Sequence, residues 1–257
     1  FGNQFQLAKA AGLKVIAVIA GQTSTGTSAY AQKAQWAAQT YGSQGLYKIE
    51  LGNEWNLHAF TPTLAASYQK AAYSAIKSVC PSCIVISNGL AEWGRYIDGQ
   101  TNPVKFLELE YAAGLKGSFD ELGWHPYYYN NNWTAAQMLA LTDPWSGMAQ
   151  LGSLSPSARA LMIANGDGAK KITATEWGAP TDDPGDGFTG GVAPAEQANL
   201  MTQGIAWWKQ QPWAGDLIAY EYQDIANSST DRECHFGLVD YNGTPKPALA
   251  AYKNAVP

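Results

Sequence analysis

The amino-acid sequence predicts an α/β fold in which parallel strands form a TIM-type (β/α) barrel. Short apolar runs of β-type residues alternate with helical patterns along all 257 residues. This alternation is typical of repeated βα units, whose strands pair in parallel. The sequence contains no linker, low-complexity tract or short repeat, and its length suits one domain of barrel size. We therefore interpret residues 1–257 as a single (β/α) barrel domain.

The predicted barrel is incomplete. The pattern predicts six strands, at residues 14–20, 47–52, 84–88, 121–124, 172–175 and 217–222. It predicts helices at residues 3–11, 28–41, 64–79, 103–113, 155–165 and 193–211. A closed barrel of this type has eight strands. The first two βα units are therefore not evident.

Composition limits the partners that this chain is expected to bind. The net charge of −5 and the lack of a basic run argue against nucleic acid. No apolar run is long enough to cross a bilayer, so no membrane partner is expected. Aromatic residues are abundant, with 10 Trp and 14 Tyr. Four tryptophans follow predicted strands or lie in loops, where their faces can stack on the C–H faces of sugar rings: Trp55, Trp93, Trp133 and Trp177.

Neither the cysteines nor the acidic residues form a recognisable metal motif. Cys80 and Cys83 lack two further zinc ligands at suitable spacing, and they are interpreted as a small local disulfide or as two buried thiols. Cys234 has no partner in the sequence. The acidic stretch at residues 182–187 departs from the EF-hand template. We therefore expect no metal and no cofactor.

Two glutamates mark a candidate active site. Glu54 follows the predicted strand at 47–52, and Glu176 follows the one at 172–175. Catalytic groups of parallel barrels lie at the carboxyl ends of the strands. Two carboxylates meeting there supply what cleavage of a glycosidic bond requires, a proton donor and a nucleophile or base. The pattern predicts an enzyme that cleaves sugars.

The motifs that end three strands are similar to those of a known group of enzymes. These motifs are Asn53-Glu54, His125-Pro126-Tyr127 and Thr175-Glu176-Trp177-Gly178. In this order they resemble glycoside hydrolases of clan A. The tail at 236–248, FGLVDYNGTPKPA, resembles the final barrel segment of family 39 and of cellulase-like family 5 members. The resemblance covers nearly the whole chain.

The resemblance implies a role for each matching residue. It numbers the visible strands three to eight, with Glu54 as the acid/base and Glu176 as the nucleophile. Asn53 is then expected to bond the sugar 2-hydroxyl, an interaction that strengthens in the transition state. His125 and Tyr127 are expected to orient the nucleophile and line the sugar site.

Other positions match the family pattern less closely. Tyr220, Glu221 and Asp224 are expected at the sugar site, but Ala219 stands where the family has an aromatic residue. The Trp55 and Trp177 rings, next to the two glutamates, are also expected to contact sugar. Residues that the family contributes from strands one and two, commonly including an Arg, have no counterpart.

The sequence thus predicts a retaining glycosidase for β-linked glycans, with a β-glucan as the first candidate substrate. Carboxyl groups about 5–5.5 Å apart would indicate retention, and about 6.5–9.5 Å would indicate inversion. The alternative is an incomplete barrel that binds glycans without cleaving them. The missing units either exist elsewhere, or a second copy covers the open edge, and we expect a homo-oligomer. Composition and substrate class suggest a secreted or extracytoplasmic protein.

Overall fold

A computed structural model describes residues 1–128, 133–181, 191–226 and 231–256. The acidic stretch at 182–187 lies outside these residues. The strands are β1 Ile16–Ile19, β2 Lys48–Leu51, β3 Ile84–Ile86, β4 Leu90–Ala91, β5 Glu121–His125, β6 Lys171–Trp177 and β7 Ala214–Ala219. The α-helices are α1 Gly2–Ala10, α2 Thr27–Tyr41, α3 Pro62–Val79, α4 Pro103–Ala112, α5 Ala135–Leu139, α6 Gly147–Gly152, α7 Ala158–Ala164, α8 Pro194–Lys209 and α9 Pro247–Ala255.

The strands form one parallel sheet in the order β1-β2-β3-β5-β6-β7, and β4 also pairs with β5. Strands β3 and β4 occupy one barrel position, because both pair with β5 and only residues 87–89 separate them. The sheet therefore has six positions, as predicted from the sequence. Within the described residues β1 and β7 are the two edges of this sheet. The incomplete TIM-type barrel is confirmed.

The long helices begin where the sequence supplies N-terminal caps. The Thr61 hydroxyl accepts a hydrogen bond from the Leu64 N–H, and Pro62 occupies the first turn of α3. The Asn102 side chain caps α4 in the same way, again with a proline in the first turn. These residues satisfy or avoid amide groups that have no partner within the helix. Helices α5, α6 and α9 were not predicted, and α5 and α6 are too short to show a helical period.

A buried ion cluster holds the interior of the sheet together. Lys48 on β2 is only 3% exposed, and its ammonium lies 2.6 Å from the Glu121 carboxylate and 2.8 Å from that of Asp216. The three residues belong to β2, β5 and β7. Removing Lys48 would leave the carboxylates of Glu121 and Asp216 without their cation, and breaking a buried pair in this way typically costs about 3–5 kcal/mol. The cluster therefore fixes the strands whose other ends carry the candidate site.

The open side of the barrel exposes apolar residues. Val18 on β1 is in register with Glu50 on β2 and shares its face of the sheet, yet it is 49% exposed. Ile218 on β7 is 40% exposed. It lies two residues beyond Asp216, on the same face. These side chains border the gap that two further strands would close.

The cysteine alternatives are resolved. Cys80 and Cys83 form a disulfide after α3, and Cys234 is a free, buried thiol. None of the helices in the described ranges is long and apolar enough to cross a membrane.

Candidate active site

Glu54 has an unusual backbone conformation. It lies three residues past β2, and its φ of 48° places it in the left-handed region. Its N–H donates to the Gly89 carbonyl at 2.8 Å. A non-glycine residue with this conformation is uncommon, and such strain clusters at functional sites. The neighbouring barrel position, through Gly89, therefore holds the first carboxylate in place.

His125 joins the two halves of the site. Its imidazole is fully buried, with Nδ1 at 2.8 Å from Glu54 Oε1 and Nε2 at 3.0 Å from Thr175 Oγ1. The same Nδ1 lies 3.6 Å from Glu176 Oε2. A single buried ring on β5 thus contacts groups delivered by the loop after β2 and by β6.

Glu176 has its own hydrogen-bond donor. The Tyr127 hydroxyl donates to Glu176 Oε2 at 3.0 Å. One carboxylate oxygen of Glu176, one of Glu54 and a His125 ring nitrogen all lie within 4.8 Å of one another. The two glutamates predicted from the sequence therefore meet, with the predicted His and Tyr beside them.

The charges of the site influence one another. Burial raises the pKa of Glu176 and the charge of Glu54 adds to this, while His125 and the Tyr127 hydrogen bond oppose it. For His125 burial lowers the pKa, but the hydrogen bond to Glu54 and the charges of Glu176, Glu54 and Glu50 outweigh it. The net pKa of His125 is raised. A carboxylate pair sharing one imidazole thus favours a proton within the cluster.

Sequence reasoning missed a buried extension of this network. The Thr175 hydroxyl donates to Glu50 Oε1 at 2.7 Å, so Glu50 connects to His125 through Thr175. Glu50 is 1% exposed, and burial raises its pKa to about 7. Glu50 faces the barrel interior, where Thr175 is its hydrogen-bond partner. The available signal was its spacing from Lys48, since residues two apart in a strand share a face.

An open cleft of about 530 Å³ lies above the network. This volume falls in the range of roughly 300–1,000 Å³ that is typical of ligand sites. Five predicted residues line the cleft: Asn53, Glu54, Tyr127, Glu176 and Tyr220. Trp93, one of the tryptophans expected to stack on sugar, also lines the cleft. The remaining lining residues did not stand out in the sequence, and they include Glu92, Trp145, Arg232 and Glu233. Tyr220 supplies an aromatic wall directly after Ala219.

Glu221 lies near the cleft but is not one of the residues that line it. Burial raises its pKa, and the charges of Asp224, Glu233 and Glu176 add to the effect. Its Oε1 is buried and has no hydrogen-bond partner within the described residues. Asp224 accepts from the Gly237 N–H at 2.7 Å and from Lys246 at 2.8 Å. Asp224 is therefore used to anchor the chain after β7.

Three predicted sugar-stacking rings do not reach the cleft, so the role predicted for them is wrong. Trp55 is 1% exposed and stacks on Phe60 with ring centroids 4.4 Å apart. Trp177 is fully buried against Gly204 of α8. Trp133 is also buried. Glu54 has a left-handed φ and β6 has a register shift between Ala174 and Trp177, so regular strand alternation does not set the side-chain directions at these two positions.

The Glu54, His125 and Glu176 cluster also has the ligand types of a divalent metal site, two carboxylates and an imidazole. Both ring nitrogens of His125, however, lie at hydrogen-bond distance from protein oxygens. A metal ion would have to displace at least one of these contacts. The geometry therefore fits hydrogen bonding better than metal ligation.

The parallel half-barrel, with paired glutamates at the carboxyl ends of its strands, has the architecture of barrel enzymes. No family model matches the sequence, and no curated protein matches it. Solved structures of glycoside hydrolases, however, share the fold.

A GH5_18 structure from Streptomyces cattleya in complex with GlcNAc aligns with a TM-score of 0.69 and 15% identity, over 97% of this chain and 62% of that chain. A family 39 glycoside hydrolase from Bacteroides cellulosilyticus WH2 aligns with a TM-score of 0.62 and 21% identity, over 88% of this chain and 43% of that one. A GH128 endo-β-1,3-glucanase of subgroup I from Amycolatopsis mediterranei, in complex with laminaritriose, aligns with a TM-score of 0.60 and 18% identity, over 95% and 83% respectively. The resemblance in fold to families 39 and 5 is confirmed.

Proposed function

We propose that this protein is a retaining glycoside hydrolase for β-linked glycans, with Glu54 as the acid/base and Glu176 as the nucleophile. One observation carries the proposal. Carboxylates from two different strands face one cleft, with oxygens within 4.8 Å of each other across a shared histidine. Such a close pair favours the roughly 5–5.5 Å geometry of retention over the roughly 6.5–9.5 Å geometry of inversion.

The reaction would proceed in two steps. In the first, a Glu176 oxygen bonds to the anomeric carbon while the Glu54 carboxyl donates its proton to the departing glycosidic oxygen. In the second, Glu54 takes a proton from water, whose oxygen bonds to the anomeric carbon and releases Glu176 as a carboxylate. The Tyr127 hydroxyl would stabilise the carboxylate of Glu176 before the first step and after the second, when it carries its charge. We expect Asn53, which lines the cleft, to bond the 2-hydroxyl.

The similar structures guide the choice of substrate. Several are described as β-1,3-glucanases, and one of them was solved with laminaritriose. We therefore propose a β-glucan as the first class to test, and β-1,3-linked oligosaccharides as the first members of it.

The test compares the parent with Glu54→Gln and Glu176→Gln on aryl β-glycosides and β-linked oligosaccharides. Each substitution keeps the shape of the side chain and removes its acid–base function. We expect both variants to lose turnover, and azide to restore turnover of an activated aryl glycoside only in Glu54→Gln. The azide product should be a β-glycosyl azide, because azide would replace water in the second step. An α-configured product, or rescue in neither variant, would contradict the assigned roles.

The alternative is a protein that binds glycans without cleaving them, and the missing strand positions favour it. It predicts that oligosaccharide affinity survives both Gln substitutions while the parent shows no turnover. Calorimetric titration of all three proteins separates the two functions.

We further propose that the protein is extracytoplasmic and that a second copy covers the open barrel edge. The Cys80–Cys83 disulfide supports the first proposal, because disulfides persist mainly in oxidising compartments. The exposed Val18 and Ile218 at the sheet edges support the second.

A further inference from the structure

We infer that one end of the cleft is a subsite for a neutral sugar unit next to the one being cleaved, with Trp93 and Trp145 as its stacking surfaces and Glu92 as its hydrogen-bonding group. This inference rests on the proposed function and gives it a substrate class, neutral glycan chains of at least two sugars. Trp145 and Glu92 did not stand out in the sequence.

The two rings are exposed where most aromatic residues of this chain are not. Trp93 is 48% exposed and Trp145 is 46% exposed, and both line the cleft that contains Glu54 and Glu176. Leu57, which is 38% exposed, adds a third apolar surface. Large apolar side chains grouped in a concave site mark a binding surface. Flat indole faces suit the C–H faces of a sugar ring.

Polar contacts hold the backbone beside both rings. The Trp145 N–H donates to Asp143 Oδ1 at 2.9 Å, and the Tyr128 hydroxyl donates to Asp143 Oδ2 at 2.6 Å. Next to Trp93, the Gly94 carbonyl accepts from Asn102 and Gln150, each at 2.9 Å. A surface ordered before binding loses less entropy when ligand arrives. The rings are therefore carried on anchored segments.

Glu92 provides a polar group between these segments. It follows β4 directly, is 5% exposed and forms part of the cleft wall. Its Oε1 has no hydrogen-bond partner among the residues that the structure describes. A buried polar atom without a partner is costly, so it favours a ligand that supplies one. A sugar hydroxyl is such a partner. Burial also raises the pKa of Glu92, which favours a neutral carboxyl able to donate as well as accept.

The charge of the cleft selects against acidic sugars. Among the described residues, its lining contains Glu54, Glu176 and Glu233 against one cation, Arg232, which pairs with Glu233 at 3.2 Å. A uronic acid would add a further carboxylate to this surface. Since like charges repel in a partly desolvated cleft, the subsite fits uncharged sugars.

The test uses Glu176→Gln as a binding-competent background with blocked chemistry. Calorimetry measures its affinity for β-1,3- and β-1,4-linked glucose trisaccharides, alone and with Trp93→Ala, Trp145→Ala or Glu92→Leu added. Trp36→Ala is the matched control, since Trp36 is 58% exposed but lies outside the cleft. For the trisaccharide that binds more tightly, we expect each subsite variant to lower the affinity at least about tenfold. Trp36→Ala should leave this affinity unchanged. Glu92→Leu should keep or raise Tm, because it removes a buried, unpartnered polar group.

Kinetic measurements in the background with Glu176 intact then show whether Trp93 and Trp145 contact the sugar being cleaved or the sugar next to it. The ratio of kcat/KM for the trisaccharide to kcat/KM for an aryl β-monoglycoside should fall about tenfold in Trp93→Ala and Trp145→Ala. A trisaccharide of uronic acids should bind more weakly than its neutral counterpart.

The outcomes separate this inference from the proposed function. If the parent cleaves glycans but the subsite variants match Trp36→Ala in affinity, the subsite is overturned and the hydrolase stands. If both substrates lose kcat/KM equally, the residues act at the cleavage point and the subsite is again overturned. A parent that neither binds nor cleaves any member of the panel overturns the proposed function, and the subsite with it.

Discussion

At the scale of single residues, the direction of one hydrogen bond determines how His125 is used. Because the Thr175 hydroxyl donates its proton to Glu50, its oxygen accepts from His125 Nε2–H. The other nitrogen, Nδ1, then either accepts from a protonated Glu54 or, in the imidazolium, donates to its carboxylate. These are the two protonation states that an acid/base passes through in the proposed reaction. In the proposed reaction, Glu50 and Thr175 would therefore position His125 and, through it, the acid.

The Tyr127–Glu176 contact gives the first prediction. The hydrogen bond lowers the pKa of Glu176, against a net rise caused mainly by burial. Tyr127→Phe removes it, so the pKa of Glu176 rises further. A nucleophile must be ionised, so we expect the acid limb of kcat/KM against pH to move to higher pH. Loss of a hydrogen bond to a charged group costs about 1.5–3 kcal/mol, which corresponds to a roughly 10- to 100-fold decrease in kcat/KM.

The measurement is a pH–rate profile on an aryl β-glycoside. Phe236 packs edge-on against the Tyr127 ring, with centroids 5.8 Å apart. It has no hydroxyl group, so it cannot donate a hydrogen bond to Glu176. Phe236→Leu therefore serves as a packing control that should leave the acid limb in place. An acid limb that is unmoved in Tyr127→Phe would show that this hydrogen bond does not set the ionisation of the nucleophile.

A second residue-scale prediction concerns metals. We expect activity to be insensitive to chelators, because both nitrogens of His125 are engaged with Glu54 and Thr175. The measurement is turnover before and after prolonged treatment with EDTA, together with elemental analysis of the active protein. Loss of activity that Mn²⁺ or Zn²⁺ restores would instead identify the Glu54, His125 and Glu176 cluster as a metal site.

At the scale of secondary-structure elements, a glycine sets the distance between the sheet and its covering helix. Gly204 lies on the buried side of α8, and a Cβ at this position would clash with the Trp177 indole ring. Trp177 in turn ends β6, next to Glu176. The position of β6, and of Glu176 on it, therefore depends on how closely α8 packs against this strand.

Gly204→Ala is expected to destabilise the fold by about 1–3 kcal/mol through overpacking. The matched control is Gly152→Ala in α6, where the nearest atom to a new Cβ is on Trp213 at 4.0 Å. That change should be neutral or slightly stabilising, since alanine is the better helix former by roughly 0.5–1 kcal/mol. Chemical denaturation of the three proteins measures the difference. Equal stability of both variants would contradict the packing argument.

The sequence predicted elements better than side-chain directions. Apolar runs located all six strand positions, because a parallel strand buried on both sides is a continuous apolar segment. The convergence of Glu54 and Glu176 followed from the rule that strand ends meet at one edge. The burial of Trp55 and Trp177 could not be predicted from such a rule, because it depends on local irregularities such as the register shift in β6 between Ala174 and Trp177.

The Glu50–Thr175–His125 chain was also beyond reach from the sequence. Glu50 and Thr175 are 125 residues apart, and only the curvature of the sheet brings them together across its interior. Strand β4 was not predicted because two residues do not form a recognisable period. The contacts of Glu50 with Thr175 and His125 thus depend on how distant strands come together in the sheet, which local sequence propensity does not reveal.

At the scale of the whole molecule, the open edge determines the expected state in solution. Strands β1 and β7 present unpaired edges within the described residues, and Val18 and Ile218 expose apolar side chains beside them. Unpaired strand edges with apolar neighbours promote association. A second copy of the chain placed on this side would bury both, which is why we propose a homo-oligomer.

The final prediction tests this association. Val18→Lys and Ile218→Lys place charges beside the open edge, where a second copy would have to desolvate them. We expect each to raise the dissociation constant at least roughly tenfold. Ile163→Lys on α7 is the control, because Ile163 is 59% exposed but lies away from the edge strands. Light scattering across a concentration series measures the mass of each variant. A parent that is monomeric throughout the micromolar range would contradict the proposal, whereas an oligomer that only the edge lysines dissociate would place the contact at β1 and β7.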